Sequence, residues 1–295
     1  MNIRKFGGID IGSNGVRLLI ANVLEEENKV PIFSKASLVR VPIRLGEDVF
    51  ESGEISKGNT ERLSEAIQAF SLLMKVYNVE KYQACATSAM REAKNGREIV
   101  LNIAKKTGIY IEIIDGQKEA AIIANTDLHS FIENDKNYLY IDVGGGSTEF
   151  TIYSKGNNLA SKSFPIGAVR LLRGKATNKI WEEVEEWIVK KTKNIKNIQA
   201  IGSGGNINKI FKASGNKKGE PLSLSFLNDF LNKLESLSYE ERIRDLELNP
   251  DRADVITYAT RVYINAMKWA KAENIIVPKV GLSDGIIRGL YYNNI

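Results

Sequence analysis

Hydrophobic and polar residues alternate in two stretches of the chain that share one design. In the first, IDIGSNGVRLLI from Ile9 to Ile20, an apolar segment carries an aspartate, turns on glycine and resumes as an alternating segment. The second, IDVGGGSTEFTI from Ile141 to Ile152, repeats this order of residue types. Alternating segments joined by a short glycine-rich stretch are typical of β-hairpins. The sequence therefore predicts two hairpins, each with a glycine turn that follows an aspartate.

Helical spacing of apolar residues is found between predicted strands along the rest of the chain. From residue 60 to 77, one helical face carries Leu63, Ile67, Phe70, Met74 and Tyr77. The following stretch, YQACATSA, is predicted to be a buried strand that ends in a loop. Further helices are predicted at 97–108, from near Gly116, and at 181–194, 225–237, 251–273 and 284–292, and further strands at 110–114, 197–202 and 274–278. This alternation predicts an α/β fold.

The repeated hairpin suggests two domains of similar design in a chain of 295 residues. No proline-rich or low-complexity linker separates the two halves, so the boundary is placed near residues 125–137. We expect an N-terminal domain at 1–126 and a C-terminal domain at 127–295. The last helix, near 284–295, is expected to pack back on the N-terminal domain.

Composition narrows the classes of function. With 43% hydrophobic and 26% charged residues, the chain has neither an apolar run long enough for a bilayer nor a secretory leader, so a soluble cytoplasmic protein without a membrane partner is expected. The formal net charge of +5 fits an anionic ligand. The single cysteine, Cys85, lies in an apolar stretch and is predicted to be a buried structural thiol. The single histidine, His129, has no Cys or His partners for a zinc site or a Ser-His triad.

Glycine turns at the ends of strands favour phosphate binding, because backbone N–H groups can approach an anion where no Cβ intervenes. The predicted phosphate-binding residues are Gly12, Ser13 and Asn14 in the first turn and Gly144, Gly145, Gly146, Ser147 and Thr148 in the second. Asp10 and Asp142 are predicted to hold Mg²⁺ through oxygen ligands. Each domain is expected to contribute one glycine turn. The two turns are expected to face each other across a cleft and to bind one phosphate chain. A third turn, AIGSGGN at 200–206, again follows a predicted strand.

The order of these motifs resembles the exopolyphosphatase and guanosine pentaphosphate phosphohydrolase family. The motifs that carry the resemblance are IDIGSNGVRLLI, ATSAMREAKNG, DGQKEAAII, IDVGGGSTEF, FPIGAVRL, IGSGG, DRADVI and GLSDGIIRGLYY. They run from residue 9 to residue 292. The chain is most similar to the short, two-domain members of this family.

The resemblance implies two actin-like, ribonuclease-H-like domains with an interdomain cleft and a Mg²⁺-dependent hydrolase that releases terminal orthophosphate. Glu119 matches the glutamate that activates water, and Glu149 matches a second essential glutamate near the metal. Arg91 matches an arginine that contacts phosphate, and Arg17 would contribute if its side chain turned into the cleft. Asp254 lies in a family motif and is expected to play a supporting role. A homodimer is a further expectation, since family members are often dimers.

One position departs from the family pattern, and several functions stay open. Lys118 stands where the family usually has the first of two glutamates. Inorganic polyphosphate and guanosine pentaphosphate are both candidate substrates, because each presents a terminal phosphoanhydride. A kinase would use the same turns but pass phosphate to an acceptor, whereas a sensor would bind without hydrolysis. Nucleic-acid binding is suggested only by the positive net charge, and the sequence contains no nucleic-acid recognition motif to support it.

Overall fold

The computed structural model describes residues 1–126 and 132–293, and the chain divides into two compact units. The first unit comprises Met1–Thr126 together with Gly281–Ile295, and the second comprises Asp127–Val280. The sequence boundary at 126/127 is therefore also a boundary between the units, whereas residues 281–295 belong to the first unit. His129 lies outside the described residues.

The first unit is built on a five-stranded sheet in the order β3-β2-β1-β4-β5. Its strands are β1 (Asn2–Ile11), β2 (Val16–Glu25), β3 (Ile32–Val41), β4 (Lys81–Ala86) and β5 (Ile111–Ile113). Strand β2 pairs antiparallel with both β1 and β3, while β4 is parallel to both β1 and β5. The first predicted hairpin is confirmed, since Ile11 pairs with Val16 across the glycine turn.

The first unit has six described helices, some of which begin or end at favourable capping residues. They are α1 (Leu45–Ser52), α2 (Lys57–Val76), α3 (Ser88–Glu92), α4 (Gly96–Thr107), α5 (Gly116–Ala124) and the C-terminal helix α13 (Leu282–Tyr292). Ser56 caps α2 by accepting a hydrogen bond from the Asn59 amide, and Gly108 ends α4 in the left-handed conformation. The helices predicted at 60–77, 97–108 and 284–292 are confirmed.

Helix α13 packs on the sheet of the first unit. Ile287 is buried in a core cluster with Phe6, Leu19 and Val23. A Cβ added at Gly8 of β1 would lie 2.7 Å from the carbonyl oxygen of Ser283, so the helix backbone touches the strand directly. This close approach requires glycine at position 8.

The second unit is built on a six-stranded sheet in the order β10-β11-β9-β6-β7-β8. Its strands are β6 (Asn137–Val143), β7 (Thr148–Ser154), β8 (Asn157–Phe164), β9 (Ile198–Ser203), β10 (Leu222–Ser223) and β11 (Asn274–Ile276). The second predicted hairpin is also confirmed: Val143 pairs with Thr148, and the glycine turn lies between them. The described helices of this unit are α6 (Ala168–Leu172), α7 (Asn178–Thr192), α8 (Gly205–Ser214), α9 (Leu224–Ser236), α10 (Tyr239–Asp245), α11 (Pro250–Ala253) and α12 (Ile256–Trp269).

Some sequence predictions of local structure are wrong. The helix predicted at 251–273 is two helices, α11 and α12, which are separated at Asp254 and Val255. Apolar spacing continues through this break, so periodicity alone does not reveal it. Strand β3 was not predicted because most of its side chains are at least partly exposed and give little alternation. Within the described residues, no helix combines the length and apolar character needed to cross a membrane.

Candidate active site

The first glycine turn joins β1 to β2 and is held by hydrogen bonds from two neighbouring segments. The Gly12 amide donates to the Gly15 carbonyl at 3.2 Å, and the Gly46 amide donates to the Ser13 carbonyl at 2.9 Å. The Ser13 hydroxyl accepts a hydrogen bond from the Ala89 amide at 3.2 Å, which leaves the hydroxyl hydrogen to donate elsewhere. The loop is thereby fixed with its backbone amides preorganised, as an anion-binding turn requires.

Asp10 and Arg17 form an ion pair beside the first turn. They are cross-strand partners in the β1–β2 hairpin, and the Arg17 guanidinium donates to Oδ2 of Asp10 at 3.0 Å. Burial raises the pKa of the Asp10 carboxyl above its ordinary value, and the charge of Arg17 opposes that shift. The cation that faces Asp10 in the structure is therefore an arginine of the same hairpin.

Glu119 lies in the first turn of α5, and Arg91 supports the segment that leads into this helix. Asp115 caps α5 by accepting a hydrogen bond from the Lys118 amide. The Arg91 guanidinium donates to the carbonyl oxygen of Ile114, the preceding residue, at 2.7 Å. Arg91 and Glu119 thus belong to one local structure. Glu119 itself is half-buried.

The buried thiol of Cys85 lies within the electrostatic influence of both Asp10 and Glu119. Cys85 pairs in register with Asp10 across β1 and β4. Burial raises the pKa of Cys85 to about 12, and the negative charges of Glu112, Asp10 and Glu119 act in the same direction. The predicted structural role of Cys85 agrees with this burial.

The second glycine turn is held by its carbonyl groups. The carbonyls of Gly144, Gly145 and Gly146 all accept hydrogen bonds from the segment 167–170, at distances of 2.8–3.2 Å. The Arg170 side chain, which is buried, adds a 2.8 Å hydrogen bond to the Gly146 carbonyl. In the described part of the chain, the amides of Gly145, Gly146 and Ser147 have no hydrogen-bond acceptor. A turn whose carbonyls are bound and whose amides have no acceptor is suited to an anion.

Glu149 is buried in β7 and is oriented by two hydroxyl groups. Ser147 and Ser163 each donate a hydrogen bond to Oε1 of Glu149 at 2.7 Å. The Thr148 hydroxyl donates instead to the Ile166 carbonyl at 2.7 Å. In this arrangement the Ser147 and Thr148 hydroxyl hydrogens, expected to be donors to phosphate, are used within the unit. The backbone amides are then the groups of this turn that stay available to an anion.

Asp142 lies directly opposite Glu149 in the β6–β7 hairpin. Opposite residues of an antiparallel pair project from the same face, and two like charges placed in this way repel each other. Asp142 also lies near the buried hydroxyl of Tyr263, whose pKa is raised well above its ordinary value by burial and, next, by the Asp142 charge. A divalent cation would offset the repulsion between these carboxylates.

The third turn contacts Asp142 and begins helix α8. Gly204 has a φ of 110° and lies so close to Asp142 that an added Cβ would be 3.4 Å from Oδ1 of that residue. The buried Arg252 guanidinium lies against Gly205 and donates to Oδ1 of Asn206 at 3.0 Å. Arg252 and Asp254 belong to the DRADVI motif, so the structure gives this motif a contact with the third turn.

A magnesium ion fits the donor set of the second unit better than that of the first. Among the described residues, no group of three or more His, Cys, Asp and Glu side chains is arranged to hold a metal ion. Mg²⁺ is commonly held by only one or two carboxylates together with water and substrate phosphates. Asp142 and Glu149 are two carboxylates directly opposite each other in the β6–β7 hairpin, whereas Asp10 is ion-paired with Arg17.

The structure therefore groups the predicted site residues within each unit. In the first unit, Asp10 and Arg17 flank the turn that contains Gly12, Ser13 and Asn14, while Arg91 supports the segment that leads into the helix of Glu119. In the second unit, Asp142 and Glu149 lie at the base of the turn Gly144–Ser147. Sequence reasoning missed Ser163, Arg170 and Gly167. Position 163 is the cross-strand partner of Glu149, and the other two residues lie in the quoted motif FPIGAVRL.

Two sheets, each with a glycine turn after an aspartate, define an α/β protein in which one hairpin design is repeated in two units. The model of the Ppx/GppA phosphatase family matches residues 25–293. The chain belongs to the Ppx/GppA phosphatase family, which confirms the resemblance predicted from the motifs.

Related proteins agree with this assignment. The chain is 30% identical over 294 residues to the bifunctional 3-dehydroquinate synthase/phosphatase of Fusobacterium nucleatum, with 91% of this chain and 44% of that protein covered. It is 28% identical over 169 residues to exopolyphosphatase 1 of Mycobacterium tuberculosis H37Rv, with 57% of this chain and 48% of that protein covered. The chain thus spans about half the length of the curated relatives it matches.

Solved structures confirm the predicted fold class. An exopolyphosphatase from Cytophaga hutchinsonii has a TM-score of 0.84 at 23% identity, with 98% of each chain covered. The Ppx/GppA family member of Aquifex aeolicus has a TM-score of 0.76 at 23% identity, with 99% of each chain covered. These similarities establish the α/β fold with two sheets.

Proposed function

We propose that this protein is a hydrolase that releases terminal orthophosphate from inorganic polyphosphate. The observation that carries the proposal is the turn Gly144–Ser147, whose carbonyls are bound by the segment 167–170 while three consecutive amides have no acceptor among the described residues. Such a turn suits a phosphate group, and the first unit has a glycine turn at the equivalent place after Asp10. Relatives named exopolyphosphatase support the choice of a phosphoanhydride substrate.

Glu119 is proposed as the group that orients the attacking water and accepts its proton. Hydrolysis of a phosphoanhydride needs a positioned water and neutralised charge on the transferred group, with little covalent chemistry by the protein. Glu119 is half-buried in the first turn of α5, and Arg91 holds the residue that precedes the helix cap. This local support would fix the direction from which the carboxylate approaches a water molecule.

The basic and backbone donors are proposed to bind the phosphate oxygens. Arg91 uses one N–H group for the Ile114 carbonyl, and its guanidinium has further donors for phosphate. Arg17 is bound to Asp10, so its proposed contact with phosphate would be made by the donors that this ion pair leaves over. The amides of the two glycine turns complete the set of donors.

Asp142 and Glu149 are proposed to hold Mg²⁺, with Asp10 as a further predicted ligand. The bound ion would supply electrostatic stabilisation of the phosphoryl oxygens. The hydroxyls of Ser147 and Ser163 fix Glu149 for this role. Titration with Mn²⁺, followed by its electron paramagnetic resonance signal, tests the site without any turnover. Glu149→Gln should weaken Mn²⁺ binding by about tenfold or more, and equal affinity in wild type and variant would contradict the assignment.

Guanosine pentaphosphate is the alternative substrate, because it also presents a terminal phosphoanhydride. The deciding experiment is orthophosphate release measured side by side on long-chain polyphosphate and on guanosine pentaphosphate, each with Mg²⁺. We expect the higher kcat/KM on polyphosphate. Preferential release from guanosine pentaphosphate would favour the alternative. Release from neither substrate, with both still bound, would point to a sensor.

Two further proposals concern the state of the protein in the cell. A homodimer is proposed from the family resemblance, and light scattering coupled to size-exclusion chromatography measures it directly. A cytoplasmic location is proposed from the composition, and cell fractionation tests it. A monomer, or recovery outside the cytoplasmic fraction, would contradict the respective proposal.

A further inference from the structure

A basic cavity in the first unit lies beside the proposed catalytic helix. It has a volume of about 400 Å³, and its lining includes Met90, Arg91, Lys94, Arg97, Ile114 and Asp115. Three of these side chains are cationic and one is anionic. The carboxylate of Asp115 caps α5 by accepting from the Lys118 amide, so its charge is directed toward the helix N-terminus. The cavity therefore presents a net positive surface.

Within residues 1–126 and 132–293, the three cations of this cavity form no ion pair. Among the described residues, neither Lys94 nor Arg97 has an anionic side-chain partner, and both are exposed. In the part of the chain that the structure describes, the side-chain partner of Arg91 is the backbone carbonyl of Ile114. A nearby carboxylate would partly neutralise a surface arginine or lysine. Within the same described ranges, the positive charges of Arg91, Lys94 and Arg97 lack such a partner and line one cavity. Converging cations raise the local concentration of an anionic ligand.

The position of the cavity connects it to the proposed reaction. Ile114 and Asp115 form its wall and lead directly into α5, and the Glu119 amide donates to the Asp115 carbonyl at 3.0 Å. One turn of helix separates this wall from Glu119. A substrate that extends from the phosphate next to Glu119 along this wall would enter the cavity.

The size and lining of the cavity favour an inorganic chain over a nucleoside. A water molecule occupies about 30 Å³ of liquid, so the space is large enough for several phosphate groups. The described residues that line it include no aromatic ring on which a base could stack. Cationic side chains with multiple N–H donors match the oxygens of phosphate.

We propose that Lys94 and Arg97 form a distal subsite that binds internal phosphates of a linear polyphosphate chain. This inference rests on the proposed function, because the chain must be held at Glu119 for its continuation to reach the cavity. The subsite would bind a long chain more tightly than a chain that ends before the cavity. Arg91 would stand between the reacting phosphate and this subsite.

Equilibrium binding without turnover tests the subsite. Metal is removed with a chelator, and the affinities of long-chain polyphosphate and tripolyphosphate are measured for wild type and for the double variant Lys94→Gln/Arg97→Gln. We expect the variant to bind long-chain polyphosphate about tenfold more weakly, because two charge contacts with phosphate are lost. Its affinity for tripolyphosphate should change by less than about twofold, because the short chain does not span both sites.

The matched control is Lys105→Gln/Lys106→Gln, which removes two exposed lysines from the last turn of the same helix as Arg97. This control should bind long-chain polyphosphate as the wild type does. The subsite is refuted if the two double variants weaken binding equally, if neither weakens it, or if tripolyphosphate is affected as much as the long chain. The binding experiment does not depend on catalysis. If the protein released no phosphate in the activity assay, the proposed hydrolysis would be rejected, but the binding experiment would still decide whether the subsite exists.

Discussion

Gly285 of the C-terminal helix lies against the backbone carbonyl of Ile122 in α5. A Cβ added at Gly285 would be 2.1 Å from that carbonyl oxygen, well inside the closest approach of real atoms. Ile122 is three residues from Glu119 on the same helix. Helix α13 therefore constrains the position of α5, the helix that carries Glu119, the proposed general base.

Gly285→Ala should displace α5 and lower the activity. The methyl group meets backbone rather than a flexible side chain, so we expect a loss of about 1–3 kcal/mol in the free energy of unfolding. The rate of phosphate release should fall together with stability. Chemical denaturation and a phosphate-release assay measure the two effects. Gly58→Ala is the control, because nothing lies within 4 Å of a Cβ at that position in α2; equal behaviour of the two variants would contradict the packing argument.

Gly167→Ala should disrupt the second glycine turn. A Cβ at this position would lie 2.3 Å from the carbonyl carbon of Gly145 and 2.4 Å from its oxygen. The segment that begins at Gly167 also binds the carbonyls of the turn, so a shift there would misplace the amides. We expect at least about tenfold weaker binding of tripolyphosphate, measured by calorimetry. Wild-type affinity in a folded variant would show that the turn does not bind phosphate.

Ser163→Ala should reduce the activity by loosening Glu149. It removes one of the two hydroxyl groups that donate to Oε1 of this buried carboxylate. Loss of a hydrogen bond to a buried charge costs about 1.5–3 kcal/mol, which corresponds to a fall of about ten- to a hundredfold if the full effect reaches the rate. The measurement is kcat for phosphate release.

Ser161→Ala is the matched control for Ser163→Ala. Ser161 lies on the same strand and its hydroxyl contacts Thr151 at 2.9 Å and Asn158, not Glu149. Its removal should leave kcat within about twofold of the wild type. If the Ser161 and Ser163 variants lose activity to the same extent, the effect belongs to the strand as a whole, and the orienting role of Ser163 is wrong.

Cys85 should make the folded state less stable at alkaline pH. Burial raises the pKa of this thiol from 9.0 to about 12, so between these values the unfolded chain loses a proton that the folded chain retains. The contribution of Cys85 is therefore complete below pH 9 and decreases by about 1.4 kcal/mol per pH unit above it. Unfolding curves of wild type and Cys85→Ala at pH 8 and pH 10.5 isolate this term. A parallel pH dependence in both proteins would contradict the burial of the thiol.

Much of the fold could be predicted because its signals are local. The alternation of apolar and polar residues and the glycine-rich turns predicted both hairpins. The helical spacing of apolar residues predicted helices such as the one that contains Leu63 and Phe70. Strand β3 was missed because its exposed residues carry little pattern. The break between α11 and α12 was missed because the side chains on both sides of Asp254 and Val255 keep a helical spacing.

The candidate site was predicted only as far as its residues lie in recognisable sequence motifs. The turn residues and Glu149 lie within one motif, whereas Ser163 and Gly167 reach them through pairing of β7 with β8 and through close backbone approach. The contact between Gly285 and Ile122 joins residues far apart in the chain and has no local signature. The roles proposed for Glu119, Arg91 and the metal ligands stay predictions.

Glu119→Gln gives the most direct test of the proposed hydrolysis. The substitution keeps the size of the side chain but removes its capacity to accept a proton, so phosphate release from long-chain polyphosphate should fall by at least about a hundredfold. The dissociation constant for polyphosphate should stay within about threefold of the wild type. Glu98→Gln, at an exposed position in α4, is the control and should be fully active. Equal turnover by wild type and Glu119→Gln would contradict the mechanism.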